Sequence, residues 1–257
     1  MKRVILNFRS GFAGLREGFE AEGCEVVENL WAPDVRALEG VVLCVADFVD
    51  CARRLCRTLG LRKRLATAGV PLIGLNRDAP WNRGVHRTRL AAIGWLAPFD
   101  LYAAHSMQGA KRFARKVLYC ANAARDSVYR TSEAELRAMR DRSFYRWDVS
   151  FIGNLDSQRY PEHARRVAFL RALAARIKEL NLEAMIRDAA GLSAAEQAEI
   201  IKKSRVSLSI DAACDAGSAP SWGLPERCYG VPACGGFLLS DRRRHAADDF
   251  ADRKSVV

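Results

Sequence analysis

Glu226, Arg227 and Tyr229 sit almost side by side in the window from Trp222 to Arg244, and a glycine pair, Gly235-Gly236, follows them closely. A guanidinium is a permanent cation with a planar fork of donors, and it suits an anionic group such as a phosphate. A carboxylate beside it suits a pair of hydroxyls, because an ionised carboxylate only accepts hydrogen bonds. The elements that would position them can be read from the same stretch. A helix carries Glu226, Arg227 and Tyr229 and stops near Gly235-Gly236, where glycine accepts a left-handed backbone at little steric cost. The apolar run Phe237-Leu238-Leu239-Ser240 then forms a short buried strand ending on Asp241. Such a unit belongs at the carboxyl edge of an open α/β sheet, where ligands bind.

Other residues with chemical potential follow apolar strands in the same way. Gly153 closes the run Val149-Ser150-Phe151-Ile152-Gly153 and is followed by Asn154 and then Arg159. Asp211 ends the strand Arg205 to Ile210. The segment Asn76-Arg77-Asp78-Ala79-Pro80-Trp81-Asn82 mixes a carboxylate with an aromatic ring, and Asp78 is a candidate general base there. A turn in which Asp78 caps the next helix accounts for it equally well. His86 and His105 titrate near neutrality if unperturbed, with His86 the weaker second catalytic candidate; each also reads as an ordinary loop or core histidine. The segment Asn7-Phe8-Arg9-Ser10-Gly11 faces the same edge of its sheet but is not a G-x-G-x-x-G fingerprint. Arg227 as a plain surface cation, and Gly235-Gly236 as a plain helix stop, are the bland alternatives.

Strands and helices alternate through the chain. Strands are expected at 4–7, 25–28, 41–45, 72–75, 100–104 and 117–120, with helices at 15–22 and, long and basic, at 51–68. A polar helix near 131–142 precedes a second set, with strands at 149–153, 182–186 and 205–210 and a helix at 165–180. Ser193 with Glu196 forms the capping-box pattern that opens another helix. This order implies parallel sheets, and two Rossmann-like α/β domains joined near residue 146 fit it better than one continuous sheet. The chain closes on Lys254-Ser255-Val256-Val257, which reads as the start of a further strand, so the second domain is expected to be truncated.

Composition narrows the class. The 257 residues have room for two small α/β domains, and 49% are hydrophobic. Eight cysteines contain no Cys-x-x-Cys pair, and the four histidines are scattered, so no zinc spacing can be assembled. Cysteines used as small hydrophobes, as in Val41-Val42-Leu43-Cys44-Val45, point to a reducing, cytoplasmic setting. No run reaches the ~18 apolar residues of a membrane span. The net charge of +11 is compatible with a solvated helix face, with docking to the anionic inner face of a membrane, or with nucleic acid. Nucleic acid is the least favoured, since no basic stretch interleaved with aromatics is present. The densest cationic cluster, Arg53, Arg54, Arg57, Arg62, Lys63 and Arg64, lies on one predicted helix.

The window from Trp222 to Arg244 resembles the donor-binding motif of bacterial glycosyltransferases of the GT-B class, in the spore-maturation-type branch related to families 1 and 4. Those proteins carry an arginine, an aromatic residue and a glutamate, then Ala-Cys-Gly and an apolar strand ending in Ser/Thr-Asp-Arg. Asp148 to Asn154 with Arg159, and the strand Ser204 to Ile210, are similar to the donor domain of the same family, so the resemblance runs from about 146 to 244. It implies a GT-B-like pair of domains: an acceptor domain over 1–145 and a donor-nucleotide domain over 146–257. It further implies a nucleoside-diphosphate sugar as donor, an acceptor that is a glycan, lipid or protein, and no cofactor or metal. The donor set would be Gly153, Asn154, Arg159, Asp211, Glu226, Arg227, Tyr229, Gly235 and Gly236. One departure stands out: with Ala233-Cys234-Gly235 aligned, the family's ribose-gripping glutamate falls on Gly230. Glu226, one helical turn earlier, is positioned to substitute. Two other classes remain open: an inactive relative that binds a nucleotide sugar as sensor or partner, and a basic regulatory or nucleic-acid-binding protein on the same scaffold.

Overall fold

The computed structural model describes residues 1–9, 12–77, 86–210 and 223–250. Asp78, Asp211 and the chain end at Ser255 to Val257 lie outside these residues. The chain is mixed α/β with two parallel sheets, and it divides into compact units at Met1–Ala121 and Asn122–Val257.

The first unit contains β1 (Arg3–Asn7), α1 (Ala13–Ala21), β2 (Glu25–Glu28), β3 (Val41–Asp47), α2 (Phe48–Arg53), α3 (Leu55–Thr67), β4 (Leu72–Asn76), α4 (Arg87–Leu96), β5 (Leu101–Ala104) and β6 (Lys116–Tyr119). Its six strands pair in parallel in the order β2-β1-β3-β4-β5-β6. Alternation along each strand sends neighbours to opposite faces. On β1, Val4 and Leu6 join a cluster with Leu15 and Phe19 of α1, whereas Ile5 joins the cluster of Phe48, Leu61, Leu65, Ile93 and Tyr102. Thus α2, α3 and α4 cover one face and α1 the other.

The expected long helix over 51–68 is broken at Arg54, whose backbone leaves the helical region at φ −122° and ψ 53°. The break is satisfied locally. The Arg54 N–H still donates to the Asp50 carbonyl at 3.0 Å, and the buried Thr58 hydroxyl donates to the Cys51 carbonyl at 3.0 Å.

The second unit contains α5 (Glu133–Ala138), β7 (Trp147–Gly153), α6 (Ala164–Glu179), β8 (Ala184–Asp188), α7 (Ala194–Lys202), β9 (Ser204–Ser209), α8 (Arg227–Ala233), β10 (Phe237–Ser240) and α9 (Ala246–Asp249). Four parallel strands run in the order β10-β9-β7-β8. Residues 122–145 belong to this unit rather than to the first. Here α5 opens on a Ser132–Glu135 capping box, and Glu135 also pairs with Lys202 of α7 at 2.9 Å. The expected Ser193–Glu196 box caps α7.

Both sheets share one connection pattern. In each, the first strand lies between the second and the third, as in the flavodoxin-like arrangement, so chain direction across the sheet reverses between β1 and β3 and again between β7 and β9. The crevice outside the carboxyl ends of such a strand pair is where α/β sheets bind ligands.

Candidate functional site

In the second unit the reversal point is built around Gly153, the last residue of β7. Arg227, the first residue of α8, reaches across to β7, and its Nη1 donates to the Ile152 carbonyl at 2.8 Å. Only glycine leaves room for this approach. A Cβ on residue 153 would lie 2.7 Å from Arg227 Nη1, 3.0 Å from Nη2 and 2.9 Å from Phe151 Cζ. The same guanidinium stands 5.0 Å from the centroid of the Phe151 ring, itself only 1% exposed. An aromatic face attracts a cation, so the ring and the Ile152 carbonyl together fix the orientation of Arg227.

A second guanidinium converges on the same strand end. Arg166 of α6 is 2% exposed, lies 5.5 Å from the Phe151 centroid and donates from Nη2 to the Asn154 carbonyl. Burying an arginine is costly unless its donors are occupied, and the Asn154 carbonyl occupies one of those of Arg166. Arg166 did not stand out in the sequence. Its signal is helical spacing: it precedes Leu170 by one turn and shares that inward row of α6, while Arg165 faces solvent.

The loop after Gly153 is pinned by its own turns. Asn154 Oδ1 accepts from the Asp156 N–H at 2.8 Å, and the Leu155 N–H donates to Oδ2 of Asp188, the last residue of β8, at 2.7 Å. Arg159 is exposed and stacks on its neighbour Tyr160, 5.5 Å from that ring's centroid. On the other side of the reversal, α8 is tied to β9 by the Cys228 thiol, which donates to the Ser209 hydroxyl at 3.3 Å, and burial pushes that thiol's pKa up.

Gly230 has a steric explanation. A Cβ there would stand 2.8 Å from the Tyr129 ring, so Tyr129 occupies the space a side chain at 230 would take. The Tyr129 phenol is pushed up to about 12, by burial first and by the nearby Glu226 carboxylate second. Glu226 is exposed at the start of α8, next to Arg227.

Other members of the expected set are turned elsewhere. The Tyr229 hydroxyl donates to Asp249 Oδ2 of α9 at 2.6 Å, and its ring stacks on Phe250 with centroids 5.8 Å apart. Gly235 has φ +72° and ends α8, and a Cβ there would come within 2.8 Å of Leu136 on α5. Because Gly235-Gly236 precedes β10, the pair sits at the amino edge of the sheet, a strand's length from Gly153. At the carboxyl edge Asp241 instead binds Arg243, which is 4% exposed and also donates to the Gly223 carbonyl at 2.9 Å. A cavity of about 30 Å³ beneath Arg227, lined by Tyr129, Ser150, Ser207 and Val231, has room for about one water and not for a nucleotide.

In the first unit, buried polar side chains gather at the carboxyl ends of the strands. Asn7 is fully buried at the end of β1 and donates to the Leu30 carbonyl at 3.1 Å. Asn76 ends β4 and donates to the Tyr102 hydroxyl at 3.0 Å; His105 and Ser106, at 1% and 2% exposure, follow β5. His86 is exposed at the start of α4 and makes no side-chain cap to that helix.

No family model and no curated protein matches the chain. Solved structures do. The chain is similar to Anabaena Alr3699/HepE, crystallised in complex with UDP, with a TM-score of 0.52 and 15% identity over 96% of this chain and 82% of that one. A looser similarity, with a TM-score of 0.49 and 13% identity over 93% of this chain and 79% of the other, links it to an alpha-glucosyltransferase in complex with UDP and a 13-mer DNA containing a HMU base. The likeness to HepE is one of fold: a mixed α/β chain with parallel sheets.

Proposed function

We propose that the chain is a metal-independent glycosyltransferase that takes a sugar from a nucleoside-diphosphate donor held at the carboxyl ends of β7 and β9. The observation that carries this reading is the seating of Arg227 over Gly153, with Phe151 beneath it and the Ile152 carbonyl fixing its Nη1. A rigidly held guanidinium at a topological reversal point suits a diphosphate. As the bond between the anomeric carbon and the β-phosphate oxygen breaks, the departing nucleoside diphosphate gains negative charge, which Arg227 with Arg166 behind it is positioned to stabilise. The acceptor hydroxyl supplies the new bond to the anomeric carbon and gives up its proton to a base. The exposed carboxylate of Glu226 takes the ribose hydroxyls in place of the family's glutamate, since Gly230 is covered by Tyr129. The fold shared with a UDP complex and the resemblance of residues 146–244 to donor-binding motifs support the same assignment.

The acceptor is assigned to the first unit, with Asp78 the proposed base; Asn7, Asn76 and His105 at the strand ends are buried and shape that edge from beneath. Calorimetric titration with UDP tests the donor site, and release of free sugar from UDP-sugars tests turnover. Binding that is lost in Arg227→Ala supports the reading; a folded protein that binds no nucleoside diphosphate refutes it.

A further inference from the structure

The positive charge of this chain is concentrated in one stretch of its sequence. Between Cys51 and Phe99 the sequence holds ten arginines and lysines against a single acid, Asp78, so this stretch accounts for most of the net charge of +11. Folding places its helices on one face of the sheet. Leu61 and Leu65 of α3 and Ile93 of α4 enter one apolar cluster, so both helices cover that face. Arg89, at the start of α4, donates from Nη1 to the Arg53 carbonyl at 2.5 Å and links α4 to the end of α2.

The outer side is both cationic and apolar. Arg54, Arg57, Lys63, Arg64 and Arg87 are exposed, with the Arg57 guanidinium 4.8 Å from the Trp31 ring centroid, while Arg62 is taken up by a two-pronged pair with Asp100 at 2.6 and 2.7 Å. Arg87 and Trp95 stand eight residues apart on α4, about 80° from each other around the helix, and Trp95 is 86% exposed. Leu59 is also exposed on α3, at 36%. No helix among the described residues is long and apolar enough to cross a membrane.

We propose that the α3–α4 face docks this protein on an anionic lipid bilayer, with Trp95 entering the headgroup region and the cations facing the charged lipids. Charge complementarity selects the partner. Polybasic segments bind anionic leaflets electrostatically, and a tryptophan with an apolar body and a polar N–H suits the bilayer interface. A single-stranded nucleic acid would call for a series of stacking aromatics between the cations, and among the described residues this region presents one strongly exposed ring, Trp95. The surface belongs to the first unit and shares no residue with the Arg227 site of the second, so the proposal stands or falls independently of the donor reading.

Co-sedimentation of the full chain with phosphatidylcholine vesicles, with and without phosphatidylserine, tests it. Binding is expected only to the mixed vesicles and should weaken as salt rises. Replacing Arg54, Lys63 and Arg64 together by Gln should lower partitioning by roughly 100-fold, at about fivefold per cation. Trp95→Ala should lower it by about tenfold. Vesicles should blue-shift the intrinsic fluorescence, and Trp95→Phe should abolish that shift. Equal binding to both vesicle types, or unchanged partitioning in the triple variant, overturns the proposal. So does oligonucleotide binding that the triple variant loses while vesicles fail to bind. The wild-type comparison decides the matter even if a variant does not fold.

Discussion

Replacing Gly153 by Ala probes the arrangement on which the proposed donor site depends. Gly153 is not among the positive-φ glycines, so alanine meets no backbone strain there. The added methyl would stand 2.7 Å from Arg227 Nη1 and 2.9 Å from Phe151 Cζ. Phe151 is 1% exposed and packed against Leu170 and Leu208, so it has little room to yield. The Arg227 tip must move instead and give up its 2.8 Å bond to the Ile152 carbonyl. Overpacking of this kind costs about 1–3 kcal/mol of stability. If the displaced guanidinium no longer meets the diphosphate, that lost charged hydrogen bond is worth about 1.5–3 kcal/mol, a roughly 10- to 150-fold rise in Kd for UDP. Calorimetry at a temperature where thermal unfolding shows the variant intact measures that rise. Gly153→Ala and Arg227→Ala act on one group, so their effects should not add: the double variant should bind about as weakly as Arg227→Ala alone. Unchanged UDP affinity in folded Gly153→Ala, or full additivity, would refute the view that Gly153 serves by seating Arg227.

Three further outcomes follow from the second unit. Gly230→Ala should lower thermal stability by about 1–3 kcal/mol, because its Cβ would meet the Tyr129 ring at 2.8 Å, and Tyr129→Leu should restore part of the loss; no restoration would mean that the crowding lies elsewhere. Tyr229→Phe removes the 2.6 Å bond to Asp249 and should cost about 0.5–1.5 kcal/mol in unfolding while leaving UDP affinity unchanged, so weakened binding would return Tyr229 to the donor site. Glu135 is held down to about 2, first by Lys202 and then by the Ser132 cap, so its contribution is present above its ordinary value of 4.5 and is lost as pH falls toward 2. Glu135→Gln should therefore melt lower than the wild type at neutral pH, with the gap closing on acidification; a gap that is constant down to pH ~2 would rule this out.

Local sequence determined the elements. Apolar runs of four to seven residues, bounded by glycine, asparagine or aspartate, became parallel strands, and β1, β2 and β4 lie within a residue of their expected bounds. The Ser193–Glu196 box opens its helix and Gly235 closes another, because capping and left-handed backbone are decided within one turn of chain. The break of the basic helix at Arg54 was not legible: no proline or glycine marks it, and it depends on Thr58 finding the Cys51 carbonyl. The membership of the candidate site was decided by tertiary structure. Arg227 meets the Ile152 carbonyl 75 residues away only because β7 lies inside its sheet beside β9, with α8 returning over the end of β7. The same pairing leaves Gly235-Gly236 at the opposite edge, although it lies far nearer to Arg227 in sequence than Gly153 does. Arg166 enters through burial on α6, and Tyr129 fills the space over Gly230 from outside the recognised motif. Residue type and spacing are properties of neighbours along the chain, whereas the approach of a cation to a strand end is a property of strand order, which no local window contains.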